Sequence, residues 1–196
     1  MTSRVARGLR GRVWRLDQRL MRRSLRARSP GRDRALVEIT RAANYSRLWL
    51  LVAVGMAACG GRQGQRAAGR GIVAIAIAAA VANGPAKLLV RRRRPLRRSP
   101  PTLIRMPRST SFPSGHSAAA FAFATGACEE LPVMAPVLVP LAGAVAYSRV
   151  HTGVHYPSDV AAGAAIGIGS GILAKRVPRW VRQRRAVGGE QAGAGP

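Results

Sequence analysis

The positive charge in this chain comes in blocks. Arginines crowd the first 47 residues, the stretch from Arg62 to Arg70, the stretch from Arg91 to Arg108 and the residues after Lys175, and long uncharged apolar stretches lie between them. Alternating basic and apolar blocks are the pattern of a multi-span membrane protein, where cations collect in the loops and leave the hydrocarbon to apolar side chains. At 196 residues, 47% of them hydrophobic, the chain reads as a single membrane-embedded domain. The formal net charge of +26 would point to nucleic acid in a soluble protein. Aromatics make up only 5% of the residues, however, and no stretch interleaves them with basic residues as a base-stacking platform requires. Nucleic acid is therefore not an expected partner.

A membrane helix needs about 20 mainly apolar residues to cross about 30 Å of hydrocarbon. The apolar runs give five candidate spans, at residues 45–60, 71–90, 115–128, 131–147 and 157–174. The expected fold is all-α, a transmembrane helical bundle of about five spans over residues 44–176. The third run is short, and its alanines, Ala118 to Ala120, Ala122 and Ala124, suit close helix contact inside the bundle better than a lipid-facing surface. Residues 1–43 contain no apolar run, which argues against a cleavable signal peptide there. With Trp14, Leu16, Leu20 and Leu25 set among arginines, they read as a basic interfacial helix at the membrane surface; a disordered tail is the other reading for residues 1–30. A helical pattern follows from Asp33 through Leu36, Ile39 and Ala43. Residues 177–196 read as a basic, disordered tail. Cys59 and Cys128 are isolated and read as reduced thiols, without the Cys-x-x-Cys spacing of a zinc site.

Three segments at the ends of candidate spans carry chemistry, and an up-and-down topology puts them on one side of the membrane. The first is Lys87-Leu-Leu-Val-Arg-Arg-Arg-Arg94-Pro95. Lys87 and Arg94 are close to two helical turns apart and share a face if the helix persists that far, while Pro95 biases Arg94 toward an extended conformation. Two converging cations suit a phosphate, with the Arg fork taking two oxygens; a cluster of topology-setting charge is the other reading. The second segment is Phe112-Pro113-Ser114-Gly115-His116, which opens the third run. Free N–H groups at a helix start cradle anions, and His116 beside them can donate a proton; a simple N-cap is the alternative. The third segment, Ser148 to Asp159, holds Arg149, His151, His155 and Asp159. An ionised Asp159 at the start of a membrane helix needs a partner, and His155, four residues earlier, is the candidate. A carboxylate on one imidazole nitrogen fixes the tautomer and leaves the other to attack phosphorus or to bind a metal. No Cys or carboxylate cluster stands near to complete a zinc site.

Read in order, these segments resemble the signature of the type-2 phosphatidic acid phosphatase superfamily, the lipid phosphate phosphatases, which also takes in vanadium haloperoxidases and bacterial acid phosphatases. The pattern is Lys, six residues, Arg-Pro; then Pro-Ser-Gly-His; then Ser-Arg, five residues, His, three residues, Asp, and every position is met between Lys87 and Asp159. The resemblance implies a metal-independent hydrolase without a cofactor. Its substrate would be a membrane lipid phosphate of the phosphatidate, phosphatidylglycerol phosphate or polyprenyl phosphate type. His155 would be the nucleophile, Asp159 its orienting partner and His116 the general acid and then base. Lys87, Arg94, Ser114, Gly115 and Arg149 would bind the phosphoryl oxygens. His151 matches no position of the pattern. A lipid-linked phosphotransferase using the same site and a non-catalytic membrane scaffold are the alternatives, and the spans disfavour a haloperoxidase. The expected location is the cell membrane of a bacterium, with one span fewer than many members have.

Overall fold

The computed structural model of the protein describes residues 2–95 and 102–176; the tail expected over residues 177–196 lies outside them. The described residues form helices and no strand. Two helices, α1 (Thr2–Arg26) and α2 (Pro30–Ala42), lead into a bundle made of α3 (Arg47–Cys59), α4 (Gly61–Asn83) with its short continuation α5 (Pro85–Leu89), α6 (Gly115–Cys128), α7 (Ala135–His151) and α8 (Pro157–Ala174). Short connections make α3 and α4, α6 and α7, and α7 and α8 antiparallel neighbours.

The centre of the bundle is α6, which packs on α4, α7 and α8. Ala118, Ala120, Ala122, Ala124 and Ala127 are sealed from solvent, and so is Phe123, which meets Trp49 of α3 with ring centroids 5.3 Å apart. Small side chains let the neighbouring backbones close in around it. Its 14 residues span only about 21 Å at the usual rise per residue, short of the hydrocarbon thickness. Among the described residues, three helices are long and apolar enough to cross a membrane: Gly61–Leu89, Pro132–His151 and Pro157–Ala174. A fourth crossing arises if Pro30–Ala42 and Asn44–Cys59 act as one span across their 61° bend. By length and composition alone the helices thus give three or four crossings, against five apolar runs in the sequence. The run at 115–128 became an interior helix, and the run at 45–60 became the 13-residue α3, too short to cross alone. The bend has a local cause, since Tyr45 and Ser46 both take left-handed backbone angles, φ 53° and 60°.

A glycine seam fixes α8 against α6. Gly163, Gly167 and Gly171 recur every four residues, so they line one stripe of α8. A Cβ on them would run into the Ser114 carbonyl oxygen, the Ala118 carbonyl oxygen and the Thr125 side chain respectively. This contact sets the height of α8 on α6, and with it the meeting of their N-terminal ends, where the Ser114 N–H donates to the Asp159 carbonyl at 3.0 Å.

Three faces divide α1. Asp17, Met21 and Ser24 are buried against the bundle, and Val13, Leu16 and Leu20 form an exposed apolar strip beside them. Arg12, Arg15, Arg19, Arg22 and Arg26 are exposed on the opposite side. The helix is amphipathic, and its buried face holds it to the bundle.

Introducing a side chain into the seam tests its role. Gly167→Val is expected to cost about 1–3 kcal/mol or more through overpacking, read as a lower melting temperature in detergent. Gly169→Ala, where nothing lies within 4 Å, is expected to leave the melting temperature unchanged or slightly raised.

Candidate functional site

The ends of α5 and α7 and the starts of α6 and α8 meet at one end of the bundle. There, Lys87, Arg94, Gly115, His116, Arg149 and His155 line a single cavity of about 280 Å³. The segments that supply them lie up to 68 residues apart in sequence (155 − 87). Ile75, Ala79 and Ala119 also line the cavity and add apolar surface beside the polar groups.

Arg94 reaches the cavity by a route different from the shared helical face considered from its spacing to Lys87. Helix α5 stops at Leu89, and residues 90–95 are irregular. Lys87 stays on the helix and donates to Asn83 Oδ1 at 2.8 Å. The Arg94 guanidinium is held by the Ser109 carbonyl at 2.8 Å, the Thr110 carbonyl at 3.2 Å and the Val154 carbonyl at 2.9 Å. One of its N–H groups also points at His155 Nε2, 3.1 Å away.

That contact fixes the state of His155. With Nε2 accepting from Arg94, the ring proton sits on Nδ1, which faces Asp159 Oδ2 at 3.6 Å. The separation is just outside hydrogen-bonding reach, so the pair is aligned and electrostatically coupled. Burial is the main influence on the ring and brings its pKa down to about 4. Asp159 opposes the shift, and the charges of Arg94 and Arg149 reinforce it. His155 is therefore neutral at ordinary pH and has an Nε2 lone pair at the cavity wall.

Asp159 lies behind the lining and is completely buried. Its Oδ2 accepts the Tyr156 N–H at 2.9 Å, closing a capping box at the start of α8, and its Oδ1 accepts from Arg92 at 2.8 Å. The start of α8 is also the positive end of its dipole, a favourable place for a carboxylate. Ser114 is buried too. Its hydroxyl accepts the Ser117 N–H at 3.4 Å as the N-cap of α6, so the hydroxyl serves the helix while the Gly115 and His116 N–H groups are left without i−4 carbonyls. His116 Nε2 donates to Asn44 Oδ1 at 2.9 Å, an interaction made possible by the bend before α3. Arg149, 2% exposed, donates to Thr40 Oγ1 at 2.9 Å, which in turn bonds Ser148 Oγ at 2.8 Å. His151, which the motif left aside, points away into the packing of α2, where Nε2 meets Asp33 Oδ1 at 2.7 Å.

Three residues at the site escaped the sequence reading. Arg92 was hidden in a run of four arginines, Asn44 stood in no motif, and Asp17 lay in the basic N-terminal stretch. Only Asp17 carried a signal, as the single acid among the arginines of residues 1–32. Chemically, the site can hold a tetrahedral anion among cations and helix-start N–H groups, with one neutral imidazole set to attack and a second set to move a proton. Among the described residues, no three His, Cys, Asp or Glu side chains converge as metal ligands would.

The family model for the PAP2 superfamily matches residues 68–183. Two proteins of Mycobacterium tuberculosis, from strains CDC 1551 / Oshkosh and ATCC 25618 / H37Rv, are 40% identical to this chain over 93 residues, 46% of it. Both are described as decaprenylphosphoryl-5-phosphoribose phosphatase, and the match spans 50% of their length. Among solved structures, Aquifex aeolicus LpxE superposes with a TM-score of 0.66 at 26% identity, covering 82% of this chain and 95% of that one. The first transmembrane PAP2 type phosphatidylglycerolphosphate phosphatase from Bacillus subtilis also gives 0.66, at 22% identity over 85% and 88% of the two chains, a likeness of fold.

The lowered pKa of His155 has a consequence for stability. Above the ordinary value of 6.5 the ring is neutral whether the chain is folded or unfolded; below it the unfolded chain takes up a proton that the folded one resists until about 4. Stability contributed by the neutral buried ring is thus complete above pH 6.5 and is lost as pH falls toward 4. Between pH 7 and pH 5 the melting temperature of the wild type is expected to fall more than that of His155→Asn, whose side chain does not titrate.

Proposed function

Since this chain belongs to the PAP2 superfamily, we propose that it is a metal-independent lipid phosphate phosphatase that works through a phosphohistidine on His155. The observation that carries this reading is the shared cavity, which cations and two imidazoles line together with apolar side chains. An amphipathic substrate, with a phosphate at one end and hydrocarbon at the other, matches both kinds of lining. The cavity lies at the helix ends, where a lipid headgroup sits when its chains stay in the bilayer.

In this reading the substrate phosphate enters among Lys87, Arg94 and Arg149, with the Gly115 N–H at the α6 start donating to the same group. A phosphoryl oxygen takes over the Arg94 N–H that now covers His155 Nε2, which uncovers the lone pair. Nε2 attacks phosphorus, an N–P bond forms, and the bond from phosphorus to the lipid oxygen breaks as His116, which burial brings down to a pKa of about 3 and which takes up a proton beside the incoming phosphate anion, gives that oxygen the proton. The His155 ring becomes cationic, and Asp159, facing its Nδ1–H, offsets the new charge. His116, now neutral, takes a proton from water as the water oxygen bonds to phosphorus and the N–P bond breaks, its electron pair returning to Nε2, and phosphate leaves with His155 restored. Ser114 contributes by capping α6 and so aiming its first turn. The cationic side chains stabilise the charge that spreads over the phosphoryl oxygens, the task a metal ion performs in other phosphatases.

The substrate class proposed is a phosphomonoester or pyrophosphate of a membrane lipid, of the phosphatidate, phosphatidylglycerol phosphate or polyprenyl phosphate type, in a bacterial cell membrane. The names of the mycobacterial relatives point toward the polyprenyl type.

A direct test supplies all three lipid phosphates in mixed micelles containing EDTA to the wild type and to His155→Ala. Hydrolysis by the wild type of at least one lipid, with a loss of roughly three orders of magnitude or more in the variant, is the expected outcome. Equal activities of the two proteins, or wild-type activity abolished by EDTA, would defeat the reading.

A further inference from the structure

The Arg92 side chain does not line the cavity that holds the two imidazoles. It lies behind it, between two carboxylates from distant parts of the chain. One N–H group donates to Asp159 Oδ1 at 2.8 Å and to Ser158 Oγ at 2.6 Å, and another donates to Asp17 Oδ2 at 2.6 Å. Asp17, at 2% side-chain exposure, is buried almost as fully as Asp159 at 0%. Asp17 in turn accepts the Ser158 N–H at 2.9 Å and the Ser158 hydroxyl at 2.7 Å. The Arg92 guanidinium lies over the Tyr156 ring, 4.1 Å from its centroid, and Trp14 of α1 meets the same ring at 5.5 Å.

This geometry does more than anchor a helix. Asp159 has two oxygens, and only Oδ2 faces His155. Arg92 occupies the other oxygen, which fixes the rotation of the carboxylate. A guanidinium two residues from the cavity-lining Arg94 could otherwise turn toward an incoming phosphate, and Asp17 holds it back through a buried, charge-assisted bond. Charges alternate along the string Asp17, Arg92, Asp159, and the string ends at the Nδ1 of His155. Breaking a buried string of this kind leaves an uncompensated charge, so its members are strongly coupled.

We propose that Arg92 and Asp17 are positioning residues for phosphoryl transfer, holding Asp159 so that Oδ2 faces His155 and thereby making α1 part of the working site. This inference rests on His155 being the nucleophile and on Asp159 acting through it. Arg92 is distinguished here from Arg94, which touches the reacting nitrogen directly.

The test uses the full-length protein in mixed micelles and whichever lipid of the three the wild type turns over fastest, with His155→Ala measured alongside. Asp17→Asn and Arg92→Gln are each expected to lower kcat about 10- to 100-fold, as small misplacements of reacting groups do, with KM within about threefold. Arg92→Lys, which keeps the charge but not the fork, is expected to retain more rate than Arg92→Gln. In an Asp159→Asn background, Asp17→Asn and Arg92→Gln are expected to cost no more than about twofold further, because residues acting through one group are not additive. Losses that multiply on that background, a rise in KM that accounts for the fall in kcat/KM, an unchanged kcat, or a rate loss equal to the loss of folded protein would each overturn the proposal. Asp17→Asn conserves shape and carries the test if Arg92→Gln fails to fold. Should His155→Ala keep wild-type activity, it is the nucleophile assignment that fails, and the two failures are thereby told apart.

Discussion

The structure is organised around a carboxylate that has no access to water. Asp159 sits at the first turn of α8 with both oxygens engaged, one by Arg92 and one by the Tyr156 N–H. A carboxylate can remain ionised there only while these partners and the helix dipole stand in for water. Each partner imposes a further demand. The Tyr156 N–H requires α8 to begin at Pro157. Arg92 requires the chain after α5 to leave its helix and cross to α8, and Asp17 then draws α1 onto the bundle. The glycine seam belongs to the same arrangement, because it sets the height at which the α8 start meets the α6 start.

Seen from the cavity, that buried charge explains why the two histidines differ in their surroundings. His155 is flanked by an acid on one side and Arg94 on the other, so its tautomer is fixed and its ring stays neutral. His116 has a neutral amide, Asn44, for a partner, and the amide neither holds nor supplies charge. An imidazole locked in one tautomer suits attack, and an imidazole with a neutral partner suits passing a proton in both directions. The proposed phosphatase chemistry follows from this division of roles. In the proposed function, the apolar lining of Ile75, Ala79 and Ala119 would meet the hydrocarbon side of a lipid.

Much of the site was legible in the sequence because its residues sit at helix ends, where local spacing carries meaning. Ser114 as a cap, the His155 and Asp159 pair four apart, and the Lys and Arg-Pro segment could all be read from short stretches. The support behind them could not. Arg92 looks like its three neighbours until the fold brings two carboxylates to it, and Asn44 acquires its partner only through a backbone bend of left-handed residues that no local pattern announced. Hydropathy found every helix of the bundle, but it left the number of crossings open at α6, since an alanine-rich helix buried by protein and one buried by lipid have similar composition. The Lys87 and Arg94 spacing suggested a common helical face. The structure achieves the convergence by ending the helix and bending the chain, with Arg94 anchored on loop carbonyls.

The central claim is that phosphorus becomes bonded to His155 Nε2, and the most direct measurement is to catch that bond. Wild-type protein mixed with a lipid carrying a radiolabelled terminal phosphate, then quenched in alkali within the first turnover, is predicted to retain label on the chain. The label should be stable to base, labile to acid, confined to the peptide containing His155 and missing from His155→Asn. Rapid lipid hydrolysis with no labelled protein at any time in the first turnover, or label on a residue other than His155, would contradict the account.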